Sequence, residues 1–281
     1  MKSALISAGK ILGFLGLWTL LLAIVVMSTV TFAGPAWYRS VGWRLWVEIG
    51  GALATLAALI LMARFVDKRR GAATLGFPLD ASIIGLLSGT VMGAAILAAP
   101  LAVLLAISAA RIEPDLAVFD ANTLAIALVL CFFNVVTQEV LVRSYIFQEI
   151  WRKYGALAAN VITTLIFVAL HAGAIMDGTQ GLIAGANVLS ASLMLGWAYV
   201  RTRALWLPIG IHMGWNALQG PVLGISVTGT EIGFGHWTVF AFPGDPLLTG
   251  GAMGVEGGLV GLIGPLLGMA LVALYPRGKR E

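Results

Sequence analysis

Apolar residues fall in long runs separated by short polar links. The runs cover about 11–33, 47–65, 82–108, 124–147, 155–172, 182–200, 205–225 and 255–275. A helix of about 20 apolar residues spans the hydrocarbon core of a bilayer. The pattern therefore predicts an all-α polytopic integral membrane bundle of about eight transmembrane helices, a single membrane domain over 1–281.

The links refine this reading. Lys2 and Lys10 precede the first run. Thr31 and Ala33 before Gly34 resemble a signal-peptidase site, but the run exceeds the usual signal-peptide core of about 7–15 residues, so it is read as an uncleaved span. Trp37, Tyr38, Trp43 and Trp46 follow as an interfacial belt. Pro100 predicts a kink in the third run. The segment from Arg111 to Asp120 reads as a polar link, and the fourth helix is expected to continue to Trp151, Arg152 and Lys153. His171 ends the fifth run, and a Gly-rich link from Gly173 to Gly181 follows. Pro208 lies in the first turn of the seventh helix, where proline is tolerated. Residues 226–254 read as a long Gly-rich loop, with His236 a solvated residue in it. Trp206 and Trp215 read as interfacial or packing residues.

Eight spans place both termini on one side. Lys2, Lys10, Arg64, Lys68, Arg69, Arg70, Arg143, Arg152, Lys153, Arg201, Arg203, Arg277, Lys279 and Arg280 fall on that side, against Arg39, Arg44 and Arg111 on the other. Removing Arg143, which lies within a span, does not change the sign. Positive charge collects on the cytoplasmic face, so both termini are expected in the cytoplasm, in a bacterial inner membrane.

Composition agrees. The 281 residues are 59% hydrophobic and 11% charged, with mean hydropathy +0.96, whereas soluble domains carry about 25% charged residues. The net charge of +4 is spread over short links, which points to topology and not to nucleic acid. The single Cys131 excludes an intramolecular disulfide and reads as a small core residue. No internal repeat is visible, which disfavours a transporter built on inverted repeats.

Against this background Gln138-Glu139-Val140-Leu141-Val142-Arg143 stands out, because charges inside a membrane are costly and mark function or an interior face. Glu139 and Arg143 are four apart, on one helix face in the favoured order. His171, His212 and Asn216 lie in other apolar runs. Measured from the basic anchors, Glu139 lies roughly 20 Å deep, His171 roughly 27 Å less a turn, His212 roughly 14 Å and Asn216 about 6 Å further. These depths allow convergence without proving it. Gly210 and Gly214, four apart, allow a close helix neighbour.

A buried carboxylate can act as a general base toward water. Two histidines can shuttle protons, polarise a carbonyl or bind zinc with a carboxylate. Asn can donate to an oxyanion. Taken singly, each residue has a structural reading: Glu139–Arg143 as a self-neutralising clamp, His171 and Asn216 as interhelical contacts. Together they read as hydrolysis of an amide in a membrane cavity.

The motifs Gln138-Glu139-x-x-x-Arg143, Phe167-x-x-x-His171 and His212-x-x-x-Asn216, with the lead-in Leu205-Trp-Leu-Pro-Ile-Gly-Ile211, resemble the CPBP family (CAAX proteases and bacteriocin-processing enzymes, also called Abi), and are similar to type II CAAX prenyl endopeptidases. The resemblance covers about 120–225. It implies an intramembrane endopeptidase of glutamic or metallo type acting on a membrane-associated or prenylated, CAAX-like substrate. The resemblance implies that the family's first Glu and His171 activate water, that His212 and Asn216 stabilise the oxyanion and that Arg143 supports. With Gln138 at the first position in a supporting role, either Glu139 takes over as base beside His171 or His171 acts alone. A variant places zinc on Glu139, His171 and His212. One departure matters: the family's first Glu is Gln138 here, and a neutral amide is no base. The alternative is a proteolytically inactive CPBP-fold membrane binding or scaffold protein. Substrate identity, metal requirement and oligomeric state do not follow from the sequence.

Overall fold

The structure, a computed structural model, describes residues 2–32, 37, 40–69, 71–117, 119–175, 178–228 and 237–278. His236, Arg39, Arg70, Lys279 and Arg280, used in the sequence reading, lie outside the described residues. The protein is an all-α polytopic bundle. The long helices are α1 (Lys2–Phe32), α2 (Val41–Leu61), α3 (Ser82–Ala106), α4 (Ala121–Val140) and α5 (Phe147–Leu170). The short α6 (Ala172–Ile175) precedes α7 (Gly178–Thr202) and α8 (Trp206–Ala217). A further turn, α9 (Pro246–Thr249), precedes α10 (Ile263–Leu274). Among the described residues five segments are long and apolar enough to cross a membrane: Leu5–Thr31, Val41–Val66, Leu79–Ala106, Ala121–Leu170 and Gly178–Thr202.

The fourth of these is two passes. A π-turn over Leu141–Ile146 joins α4 to α5, and Gly155 breaks α5 with φ +85° and ψ 168°, a conformation open to glycine and closed to residues with a Cβ. Beyond the break the chain runs back. Arg143 and Phe167 are 24 positions apart, roughly 36 Å along a straight helix, yet the guanidinium lies 4.8 Å from the Phe167 ring centroid. Asp120 starts α4 by accepting hydrogen bonds from Thr123 N at 2.7 Å and Thr123 Oγ1 at 2.6 Å. These bonds hold its carboxyl below the usual range.

The closest helix pair is α3 with α8. Gly85, Gly89 and Gly93 form a stripe on α3 facing Gly210 and Gly214 on α8. A Cβ on Gly89 would lie 2.6 Å from the Leu207 carbonyl oxygen and 2.9 Å from Gly210 Cα. Backbone thus packs on backbone, which small residues four apart permit.

Three expectations are corrected or narrowed. Arg111–Asp115 is not merely a link: it forms a strand, β1, antiparallel to β2 (Thr238–Ala241) inside the expected loop, pairing Arg111 with Ala241 and Asp115 with Thr238. Phe240 and Phe242 pack under it against Leu104 of α3, and this burial of aromatic surface orders a loop that composition alone marks as flexible. The last apolar run is helical only from Ile263, because Val255–Gly257 and Leu259–Leu262 form 3-10 turns next to Gly254 at φ +74°. Third, of the two readings of Trp215, interfacial or packing, the structure has the packing one.

Lys10, Asp67, Arg69, Gln148, Tyr199 and Arg201 gather at one end of the bundle. Lys10 Nζ donates to Asp67 at 2.5 Å and Arg69 Nη2 at 2.9 Å. Arg69 also donates to Gln148, whose amide reaches the Tyr199 hydroxyl at 2.8 Å. Arg201 Nε donates to the Tyr275 carbonyl, close to the end of α10. Burial opposes ionisation of Asp67, but the bonds from Lys10 and Arg69 outweigh it and hold the carboxyl below its ordinary value. Along the sides, Leu12, Leu20 and Ile24 of α1 and Ile84, Leu87 and Val91 of α3 point outward, as lipid-facing residues do.

Candidate active site

Each motif arrives on its own helix. Glu139 and Arg143 lie on one face across the junction of α4 and its π-turn, His171 caps α5, and His212 and Asn216 lie one turn apart on α8. They converge. Glu139, with no exposed surface, uses Oε1 as acceptor for both Arg143 Nη1 at 2.7 Å and His212 Nδ1 at 2.8 Å. Arg143 Nη2 donates to Ser192 Oγ of α7 at 2.7 Å. Phe167 fills the space between, its ring centroid 4.6 Å from that of His171 and 6.0 Å from that of His212.

The hydrogen bonds assign the ring nitrogens. His171 Nδ1 lies 2.8 Å from the Phe167 carbonyl oxygen. A carbonyl only accepts, so Nδ1 carries the proton and Nε2 of the neutral ring keeps a lone pair. The same logic makes His212 Nδ1 the donor to Glu139.

A cavity of about 630 Å³ opens among these helices, a size that fits a short peptide segment or ligand. His171, His212, Asn216 and Gln138 line it, and Glu139 does not. Glu139 therefore reaches the cavity only through His212, a different placement from direct activation of water. Gln138 points in. Its Nε2 donates to Asn134 Oδ1 at 2.7 Å, while its Oε1 is buried without a partner. Asn216 forms no side-chain hydrogen bond among the described residues and lies open to the cavity.

The zinc set of Glu139, His171 and His212 does not assemble. Among the described residues no three His, Cys, Asp or Glu side chains are grouped to hold a metal ion. Glu139 Oε1 is taken by Arg143 and by His212 Nδ1, and the carboxylate does not line the cavity that holds His171 and His212. These donors do not fit zinc.

Two further carboxylates line the cavity that sequence reasoning missed, Glu48 of α2 and Glu256 of the 3-10 turn before α10. Both were visible as acids within or beside apolar runs. Trp215, expected to be an interfacial or packing residue, packs against Ile96 and Leu97, lines the cavity and donates from Nε1 to Glu256 Oε1 at 2.9 Å. Trp206, by contrast, packs edge-on against Phe77. Cys131 is buried, as a small core residue.

Comparison with known proteins finds a similarity over one region. Over residues 120–218 the chain matches the Type II CAAX prenyl endopeptidase Rce1-like family. The match spans α4 through α8 and contains all three motifs, so the resemblance read from them stands for this CAAX-protease-like core. The helices α1 to α3 and α10 lie outside it. No curated protein and no solved structure matches the chain.

Proposed function

We propose that the protein is an intramembrane endopeptidase that hydrolyses a peptide bond of a membrane-associated substrate with a prenylated, CAAX-like tail. The observation that carries this reading is the meeting of His171, His212, Asn216 and Gln138 on one cavity among apolar helices, within a region matching a prenyl endopeptidase family. His171 offers its Nε2 lone pair to hold the attacking water. His212, anchored through Nδ1 to Glu139, turns its other edge to the cavity, where the protonated ring donates to an oxyanion beside the Asn216 amide. Glu139 orients His212, and Arg143 balances Glu139. Both chain ends face the cytoplasm, in keeping with the basic residues gathered at that end.

Gln138 favours a second reading, a binding or scaffold protein without proteolysis, since its amide cannot take a proton. The test is cleavage of a panel of prenylated-tail and membrane-protein peptides by protein purified in detergent. Wild type is expected to cleave and His171→Ala to lose about 10²-fold or more. Peptide binding without cleavage by wild type would favour the scaffold, and unchanged cleavage by His171→Ala would overturn the assigned site.

A further inference from the structure

Among the described residues two carboxylates line the cavity, Glu48 and Glu256, and they differ in how many acceptor sites are open. Glu139 lies behind the wall, with Oε1 turned to Arg143 and His212 and Oε2 buried out of reach of the cavity. Glu256 is largely occupied: Oε1 accepts from Trp215, and Oε2 accepts from Thr228 N and Thr228 Oγ1, each at 2.7 Å. Among the described residues Glu48 has one hydrogen-bond partner, Asn134 Nδ2, at 3.2 and 3.4 Å from its two oxygens. An ionised carboxylate offers about four lone-pair positions, so most of those on Glu48 remain open to water or substrate in the cavity it lines. Asn134 also connects it to Gln138, accepting from Gln138 Nε2 at 2.7 Å one turn along α4. Glu48 thus stands within one side chain of the position where the chain carries an amide.

We infer that Glu48, on α2 and outside the matched region, is the general base of this cavity, acting in place of a carboxylate at position 138. The inference rests on the peptidase reading above. Glu48 removes one proton from a water held by His171 as the water oxygen bonds to the carbonyl carbon and the carbonyl π pair moves onto oxygen beside His212 and Asn216. As the oxyanion re-forms the carbonyl, the C–N bond breaks with its electron pair leaving on nitrogen, and the proton on Glu48 passes to that nitrogen. One water is consumed, a carboxylic acid and an amine leave, and Glu48 is again a carboxylate.

The test is kcat and KM for peptide cleavage by wild type, Glu48→Gln, Glu48→Asp and the double variant Glu48→Gln/Gln138→Glu. Gln at position 48 keeps the bond from Asn134, and thermal unfolding of each variant confirms that it is folded. Glu48→Gln is expected to lower kcat by about 10²-fold or more with little change in KM, the scale of a lost general base. Glu48→Asp is expected to keep part of the rate, and the double variant to recover at least about tenfold by returning a carboxylate to the wall. Wild-type kcat in Glu48→Gln would overturn the assignment and leave the peptidase reading standing. A rise in KM alone would make Glu48 a substrate-binding group and also overturn it. Absence of cleavage by wild type would overturn both.

Discussion

The two imidazoles differ in what holds them, and the difference is testable residue by residue. His171 is oriented by a backbone carbonyl and His212 by a carboxylate that also pairs with Arg143. Glu139→Gln leaves Arg143 charged and buried without its partner, a situation that costs about 3–5 kcal/mol. Replacing Arg143 alone with Met strands the carboxylate and is expected to cost a similar amount. Removing both charges together should cost less than the sum, because the pair is coupled, and thermal unfolding in detergent across this double-mutant cycle reads the coupling. Since the donor set does not fit zinc, cleavage is expected to persist in a chelator that removes transition metals; abolition by the chelator and recovery with zinc would contradict that.

At the scale of elements, the site depends on how closely α8 lies against α3. Gly93→Leu would place a side chain against the backbone at Ile211 and Trp215, immediately beside His212. Separation of the two helices, with loss of cleavage and a destabilisation of several kcal/mol, is expected, whereas Gly9→Leu on α1, where a Cβ meets nothing, should be silent. The end of α2 carries a pH dependence. Asp67 has a lowered pKa in the folded protein, so its contribution is complete above its unfolded value, near 3.9, and is lost as pH falls through the lower folded value. Asp67→Asn should therefore lower stability at pH 7 by about 1–3 kcal/mol, with the deficit shrinking below about pH 4. A deficit independent of pH would show that packing, not charge, is what Asp67 supplies.

At the scale of the whole molecule, the cluster around Lys10, Asp67, Arg69 and Arg201 marks one end of the bundle and the β1–β2 ladder the other. In a Cys131→Ala background, a cysteine at Lys153 should react with impermeant reagent only from the cytoplasmic side, and one at Glu113 only from the opposite side. Reversed labelling would invert the orientation without touching the fold.

Much of this was legible in the chain. Apolar run length determined the membrane class and the helix count, because hydrocarbon leaves backbone polar groups no partner outside a helix. The three motifs picked out Gln138, Glu139, Arg143, His171, His212 and Asn216, because intramembrane polar residues are rare enough to stand out. The α3 glycine stripe was equally visible as Gly85, Gly89 and Gly93 but went unread. What only the tertiary structure decided is direction and distance. One residue's rotation on α4 separates Gln138, which faces the cavity, from Glu139, which faces Arg143 and His212, and spacing along a chain does not fix where neighbouring helices lie around it. For the same reason Glu48 belongs to the site: the acid is visible in its apolar run, but only the packing of α2 on α4, with Asn134 reaching across, brings it to the cavity.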